Sequence, residues 1–408
     1  MAIADPHVGR AGRSILPNSP ATVLEHRIRV DGRLLARPAR AGIPGERFRV
    51  QGVTYGPFAP NEAGEPFPDA ARVREDFIRM RDIGINSVRT YHVPPEWFFR
   101  AADEQEMAVF VDVPWAKHVC FLESEQARRE ARQAVRLAAE RGRRHPCVLA
   151  YSIGNEVPPS VVRWHGARRV QRFLAGLADA ARQADPEALV TYANYPPTEY
   201  LDLAFADFAT FNVYLHDPET FRRYLFRLQN LVGDKPLLLG ELGMDTLRHG
   251  ESAQAEFLAG HLREATLMGL AGAFVFAWTD DWHTGGHPIR DWAFGITRAD
   301  RSPKASYHAL REVFEATPAK LLTEAPRVSV VVCSYNGGAT LEQCLASLRR
   351  LDYPDYEVIV VDDGSTDETA DVAKEYPVHL IRTANQGLSA ARNEGLRAAT
   401  GSIVAYLD

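Results

Sequence analysis

Cysteine is scarce in this chain: four among 408 residues, with no CxxC pair and no metal-ligand spacing. That pattern argues against a disulfide framework or a zinc module, and Cys120, Cys147, Cys333 and Cys344 are expected to be reduced, mostly buried thiols. No apolar run approaches the length of a bilayer span. The opening MAIADPHVGRAGRS lacks the apolar centre of a secretory signal. A cytoplasmic location is therefore expected, any membrane association being left to a longer protein. A dominant charge is also missing, since a formal net charge of −6 gives no general pull toward nucleic acid or acidic membranes. The arginine-rich stretch from Arg128 to Arg144 is interleaved with Glu130 and Glu140, which makes it a solvated helix face. The histidines His92, His118, His165, His283 and His287 form no HExxH or comparable spacing, so no metal is expected in this part of the chain.

What is present is a long alternation of strand-like and helix-like segments. The length supports two substantial cores. Residues 1–46 read as an Arg/Pro/Gly-rich arm that ends in a hairpin, EHRIRVDGRLL. From 47 to 316 come eight apolar runs: FRVQGVTYG, INSVRTYHV, MAVFVDVPW, VLAYSIGNE, LVTYANY, FATFNVYL, PLLLGELG and GAFVFAW. Between them helical spacing recurs, as in Val73, Phe77, Met80 and Ile83, which share one face. Near-continuous apolar strands suit a parallel sheet covered on both sides. Eight strand–helix units predict a (β/α)₈ TIM barrel, and no glycine-rich phosphate loop follows the first strand to favour an open doubly wound sheet. A proline-bearing linker at 317–326 separates the barrel from a second module at 327–408.

In a parallel barrel, chemistry sits at the C-terminal strand ends. Strand four ends in Gly154-Asn155-Glu156 and strand seven in Gly240-Glu241-Leu242. A glutamate tipping an apolar strand is costly to desolvate unless paired or used. Two of them on facing strands can flank a glycosidic bond, one as acid and one as nucleophile. Arg89 and His92 end strand two, Tyr214 follows strand six, and Trp278, Asp280 and Trp282 end or follow strand eight. All six tryptophans fall on or soon after strand ends, where aromatic faces suit sugar C–H faces. Trp115 is taken as one such contact, while Trp97, which opens a helix, reads as core packing.

These residues carry a resemblance. The stretches INSVRTYHVPPEWF, YSIGNEVP, KPLLLGELG and WAFGITRADRSPKASYHALREVF resemble clan A of the glycoside hydrolases, most of all the family 2 catalytic domain, over roughly residues 30–315. The resemblance implies Glu156 as acid/base, Asn155 on the sugar's 2-hydroxyl, Glu241 as nucleophile, Tyr214 bonded to it, Arg89 keeping it ionised, and Trp278 flooring the sugar subsite. It implies retention on β-linked glycans without a cofactor. Family 2 enzymes normally carry β-sandwich domains before the barrel, which some 46 residues do not supply. A kinship with barrel-only β-glucanases or glucanosyltransferases therefore stays open, and so do hydrolysis and transglycosylation.

The second module reads VSVVVCSYNGG, EVIVVDDGSTDET and NQGLSAARNEGLRAATGSIVAYLD, which resembles the start of family 2 glycosyltransferases of GT-A (Rossmann-like) fold. Asp362 and Asp363 are expected to grip the nucleotide of a nucleotide sugar. Asp408 is expected to be the first acid of the site that holds Mg²⁺ or Mn²⁺ in a complete transferase. A chain that stops on a strand is expected to be an incomplete, inactive transferase module. The expected partners are oligo- or polysaccharides and, for the full-length protein, a nucleotide sugar. The alternative is a glycosyltransferase whose barrel only binds glycan.

Overall fold

The DGRL turn of the opening hairpin folds as its sequence suggests, with β1 (Arg29–Asp31) antiparallel to β2 (Leu34–Arg37). Gly32 at φ 58° supplies the left-handed residue that such a short turn needs. A third strand, β3 (Glu46–Phe48), adds to β2. Residues 27–38, 45–316, 324–351 and 353–407 are described in this computed structural model. The expected arm, up to residue 26, lies outside them, as do most of the expected linker and Asp408.

All eight apolar runs become strands: β4 (Val50–Tyr55), β5 (Ser87–Thr90), β6 (Ala108–Asp112), β7 (Val148–Asn155), β8 (Val190–Asn194), β9 (Ala209–Asn212), β10 (Leu237–Leu242) and β11 (Gly272–Val275). Each pairs in parallel with the next, and β11 returns to β4 to close the barrel. Two layers of apolar packing explain the continuous runs. Outside, residues such as Val53, Val88 and Val109 pack with helix residues such as Phe77 and Phe98. Inside, Val50, Phe110, Ala150, Leu238 and Phe274 join Ile28, Leu35 and Phe48 of the hairpin region to fill the lower lumen. A Cβ at Gly52 would stand 2.2 Å from the Phe274 ring, so that plug needs glycine there. The upper lumen is left to polar side chains.

One expectation fails. The sequence suggested a helix after every strand, but residues 195–208, between β8 and β9, hold only a 3₁₀ turn, Pro196–Thr198. Two prolines and the absence of a 3.6-residue apolar stripe explain why no α-helix forms there. The same β8–β9 junction pairs through only two residues, Ala193 with Thr210 and Asn194 with Phe211, the fewest in the barrel. After β11 the chain makes a long excursion, including a ribbon of β12 (His283–Thr284) and β13 (His287–Pro288), before the last helix, Ala305–Glu315.

The chain divides into two compact units, Met1–Glu315 and Ala316–Asp408. The second is a four-stranded parallel sheet in the order β16 (His379–Arg382), β15 (Tyr356–Asp362), β14 (Val328–Ser334), β17 (Ile403–Leu407). Val330, Val332 and Val360 pack with Leu341 and Leu345 of one helix, and Val331, Ile359 and Val361 pack with Ala391 of another, so both sheet faces are covered. This is the α/β layering expected of the second module. Among the described residues no helix is long and apolar enough to cross a membrane. All four cysteines are free, but only Cys147 is buried; Cys120 is exposed, correcting the expectation of mostly buried thiols.

Candidate active site

Arg89, on β5, is fully buried and organises the upper lumen. Its Nε donates to Asp112 at 2.6 Å, its Nη1 to Asn212 at 2.9 Å and to the Gly240 carbonyl at 2.7 Å, and its Nη2 to Asn155 at 3.2 Å. A buried guanidinium survives only when such partners offset its desolvation. Gly240 makes the approach possible, since a Cβ there would lie 2.7 Å from both the Arg89 Nη1 and the Asn212 amide oxygen.

Glu241 faces this cation at 3.3 Å and is 7% exposed. Tyr91 and Tyr214 each donate a hydroxyl proton to it, at 2.8 Å to Oε1 and 2.8 Å to Oε2. Burial, with the nearby Glu156 charge, pushes the Glu241 carboxyl above its ordinary range, against the opposing pull of Arg89 and the two tyrosines. The same burial and the Glu241 charge raise both phenols, so both remain donors at neutral pH.

Glu156 sits one residue beyond β7 with φ 48°, a left-handed conformation uncommon for a non-glycine residue. Its N–H bonds the Ala193 carbonyl at 2.9 Å, and its Oε1 accepts from the Asn212 amide at 2.8 Å. The same Asn212 nitrogen donates to the Asn155 oxygen at 2.9 Å. Asn212 therefore joins Glu156, Asn155 and Arg89, and through Arg89 it reaches Glu241. The Lys117 ammonium caps the Asn155 carbonyl; burial lowers its pKa, and the Glu156 charge opposes that shift.

The structure brings together Arg89, Asn155, Glu156, Tyr214 and Glu241, all singled out from sequence. Half-buried His92 lies at the end of the same strand as Arg89, its imidazole pKa lowered by burial. Trp115 donates its indole N–H to the Ile153 carbonyl at 2.7 Å and packs on Phe121 and Phe173, beside Gly154. Trp282 lies 5.6 Å from the Tyr91 ring.

Two barrel assignments need correction. Trp278 is fully buried and packs toward Tyr307 of the last helix, so it does not floor the site. Phe276, two residues earlier, meets Tyr91 at 6.5 Å, Tyr214 at 6.1 Å and Trp282 at 4.8 Å, so it packs on both tyrosines that hold Glu241. Asp280 is not free for substrate. It pairs with Lys304 at 2.8 Å and accepts the Gly295 N–H at 2.8 Å, tying the excursion after β11 together.

In the second unit Asp362 ends β15 and Asp363 follows it. Asp362 is fully buried and accepts from the Ser365 N–H at 2.8 Å and from Arg382 at 3.1 Å. Asp363 accepts from the Gln386 and Gly387 N–H groups at 3.0 and 2.7 Å and from Thr383 at 3.1 Å. Both carboxylates are bonded to the loops around them. Asp408 lies outside the described residues.

Tyr91, Asn212, Asp112, Lys117 and Phe276 were not singled out from sequence. For two of them a signal existed: Tyr91 lies two residues beyond Arg89, and Asn212 two before Tyr214, so each shares a strand face with a residue already chosen. Among the described residues one cluster has metal-ligand proximity, Asp103, His145 and Cys147. Both His145 nitrogens are already taken, by Asp103 at 2.6 Å and Glu96 at 3.2 Å, which makes the cluster a hydrogen-bonded one.

Comparison with known proteins divides the chain at the same place. Residues 43–318 match the model of the glycosyl hydrolases family 2 TIM barrel domain, and residues 329–408 match that of glycosyl transferase family 2. The β-glucuronidase of Ruminococcus gnavus in complex with uronic deoxynojirimycin superposes with a TM-score of 0.60 at 21% identity, over 71% of this chain and 52% of that one. The Bifidobacterium dentium β-glucuronidase complexed with coumarin-3-O-glucuronide gives 0.59 at 21% identity, over 71% and 48%. At that identity the likeness speaks for the fold. In the second unit, glycosyltransferase AglE of Haloferax volcanii is 38% identical over 91 residues, 20% of this chain and 30% of its own length. EpsH of Bacillus subtilis (strain 168) is 41% identical over 90 residues, 21% and 26%. The chain thus spans between a quarter and a third of these curated relatives and about half of the solved neighbours.

Proposed function

This chain belongs to the glycosyl hydrolases of family 2, and from that premise we propose that its barrel cleaves or transfers β-linked glycosides with retention of configuration. The observation that carries the reading is the pair of glutamates joined through one asparagine and one buried arginine, with the Glu241 carboxylate gripped by two tyrosine hydroxyls.

In this mechanism a Glu241 oxygen attacks the anomeric carbon while the bond to the leaving oxygen breaks and Glu156 gives that oxygen its proton. Glu156, now a carboxylate, takes a proton from water or a sugar hydroxyl. That nucleophile displaces Glu241 and restores both groups. Tyr91, Tyr214 and Arg89 stabilise the Glu241 carboxylate, which serves as nucleophile first and leaving group second. Asn155 uses its oxygen to accept from Arg89 and Asn212, which leaves its amide N–H groups for the sugar's 2-hydroxyl. Phe276 and Trp282 offer the aromatic surface for a ring.

The test is a panel of chromogenic aryl β-glycosides, glucuronide included because the solved neighbours are β-glucuronidases. Product configuration is followed by NMR. The β-anomer appearing first supports the mechanism. An α-product, or no turnover of any glycoside or oligosaccharide by folded protein, sinks it.

The second unit matches the glycosyl transferase family 2 model. We extend the reading to sugar transfer from a nucleotide sugar by the protein that carries both units, the barrel acting on the polymer that the transferase makes. A divalent cation would serve that chemistry, and Asp408, the residue expected to begin its site, lies outside the described residues.

A further inference from the structure

A cavity of about 730 Å³ opens on the barrel's C-terminal rim, between the loop after β4, Trp97 at the start of the next-but-one helix, and the excursion after β11. That volume falls in the range of about 300–1,000 Å³ typical of ligand clefts. The catalytic proposal uses none of its lining residues. It neighbours the candidate site all the same: Asp281 lines it, and the next residue, Trp282, touches Tyr91, which holds Glu241. The two loops are joined by the His283 N–H to the Pro57 carbonyl at 3.0 Å.

The cavity is built rather than incidental. Asn61 folds its loop back through its side-chain oxygen, which accepts the Ala63 and Glu65 N–H groups at 2.9 and 3.0 Å. Glu65 is thereby placed so that its Oε2 receives the Trp97 indole N–H at 2.8 Å, fixing the orientation of that half-buried ring. The sequence suggested core packing for Trp97, and the ring does pack against the barrel's apolar core; the surface it keeps also lines the cavity. On the opposite wall Arg301 is 5% exposed, held by Asp76 at 3.3 Å and Asp281 at 3.2 Å. Its backbone stands at φ 71°, a conformation that arginine rarely adopts.

An indole ring, oriented carboxylates and a guanidinium on the lining suit a ring with an apolar C–H face and hydroxyl edges. Five carboxylates against two guanidiniums line the space, which disfavours an anionic ligand. We propose that this cavity is a remote subsite for neutral sugar units of an oligosaccharide whose reacting linkage lies at Glu156 and Glu241. The proposal rests on the glycosidase reading above, and it makes the natural substrate longer than one sugar and its aglycone.

The experiment compares kcat/KM for neutral β-linked oligosaccharides of increasing length with that for an aryl β-glycoside, in wild type and Trp97→Ala. The wild-type value should rise with length. Trp97→Ala should remove that rise, about a tenfold loss on the longest oligomer, with the aryl glycoside unchanged. Should Trp97→Ala fail to fold, Trp97→Phe keeps the packing but loses the Glu65 bond, and Glu62→Ala alters an exposed lining residue; either should reduce the length dependence. No length dependence in wild type, or equal losses on both substrates, overturns the subsite while leaving the glycosidase reading intact. Absence of all turnover condemns the glycosidase reading instead. Oligomer binding to catalytically silent Glu241→Gln, followed by saturation-transfer NMR, then judges the subsite separately: contact that Trp97→Ala abolishes supports it, and contact that survives refutes it.

Discussion

Both units place acids at the C-terminal ends of parallel strands, and the two sets are used differently. In the barrel, Glu241 is gripped by side-chain groups, two phenols and a guanidinium, and burial raises its pKa. In the second unit, Asp363 is gripped mainly by the backbone amides of Gln386 and Gly387, at the start of the helix Leu388–Ala398, and its pKa is lowered. A raised carboxyl is one that the fold strains to keep ionised; a lowered one is ionised to the fold's benefit. The barrel acid therefore costs stability and is available for chemistry, whereas the second-unit acid contributes stability.

The largest expected effect separates the two directly. Glu241→Gln should lower turnover by on the order of 10⁴-fold or more, while raising the barrel's thermal midpoint at neutral pH. The sign follows from linkage: an acid whose folded pKa is raised stabilises the fold only while protonated, so its contribution is lost as pH rises through the folded value. The gain from Gln should shrink below the ordinary carboxylate range. A melting point that falls at neutral pH would erase the contrast.

Glu156→Ala comes next. It should lose about 10²–10⁴-fold on poor leaving groups and much less on acidic ones, and added azide should restore turnover by forming a β-glycosyl azide. Equal losses across leaving groups would reassign the residue.

Tyr91→Phe removes one hydrogen bond to a charged group, worth about 1.5–3 kcal/mol, and should reduce kcat/KM accordingly. Because that bond pulls the Glu241 pKa down, its loss should also shift the acid limb of the pH profile upward. An unmoved limb would mean that Tyr91 only packs.

The smallest effect belongs to the second unit. Glu357, which burial alone would raise, is brought down to about 2 by bonds from Ser329 and Thr400 and by Arg327. Asp363 is lowered chiefly by the Gln386 and Gly387 amides. Depressed carboxyls contribute stability above their unfolded values and lose it as pH falls through the folded ones. The second unit should thus hold its stability down to the ordinary carboxylate range and lose it toward pH 2. Asp363→Asn should flatten that acid dependence and leave barrel turnover untouched.

Much of the barrel was legible because strand ends announce themselves: an apolar run followed by a polar residue marks both a boundary and a position on the rim. Arg89, Asn155, Glu156, Tyr214 and Glu241 all lie at such boundaries. Trp278 was misplaced because GAFVFAW is apolar throughout. Nothing in the run tells which aromatic is the last to face the lumen, and the answer, Phe276, depends on where β11 yields to the excursion beyond it. The partners of Asp363 were obscured for another reason. They are chiefly the backbone amides of Gln386 and Gly387, more than twenty residues away, and backbone groups carry no sequence signature.

The missing helix between β8 and β9 has a mechanical consequence. There the connection carries no α-helix, and the junction pairs through only two residues, the fewest in the barrel. A closed ring fails at its thinnest stave, so amide exchange should run fastest across this junction and a protease should nick the segment 195–208 first. The barrel then behaves less like a hoop than like a clasped cuff, and new chain termini placed at the clasp would cut the fewest native bonds.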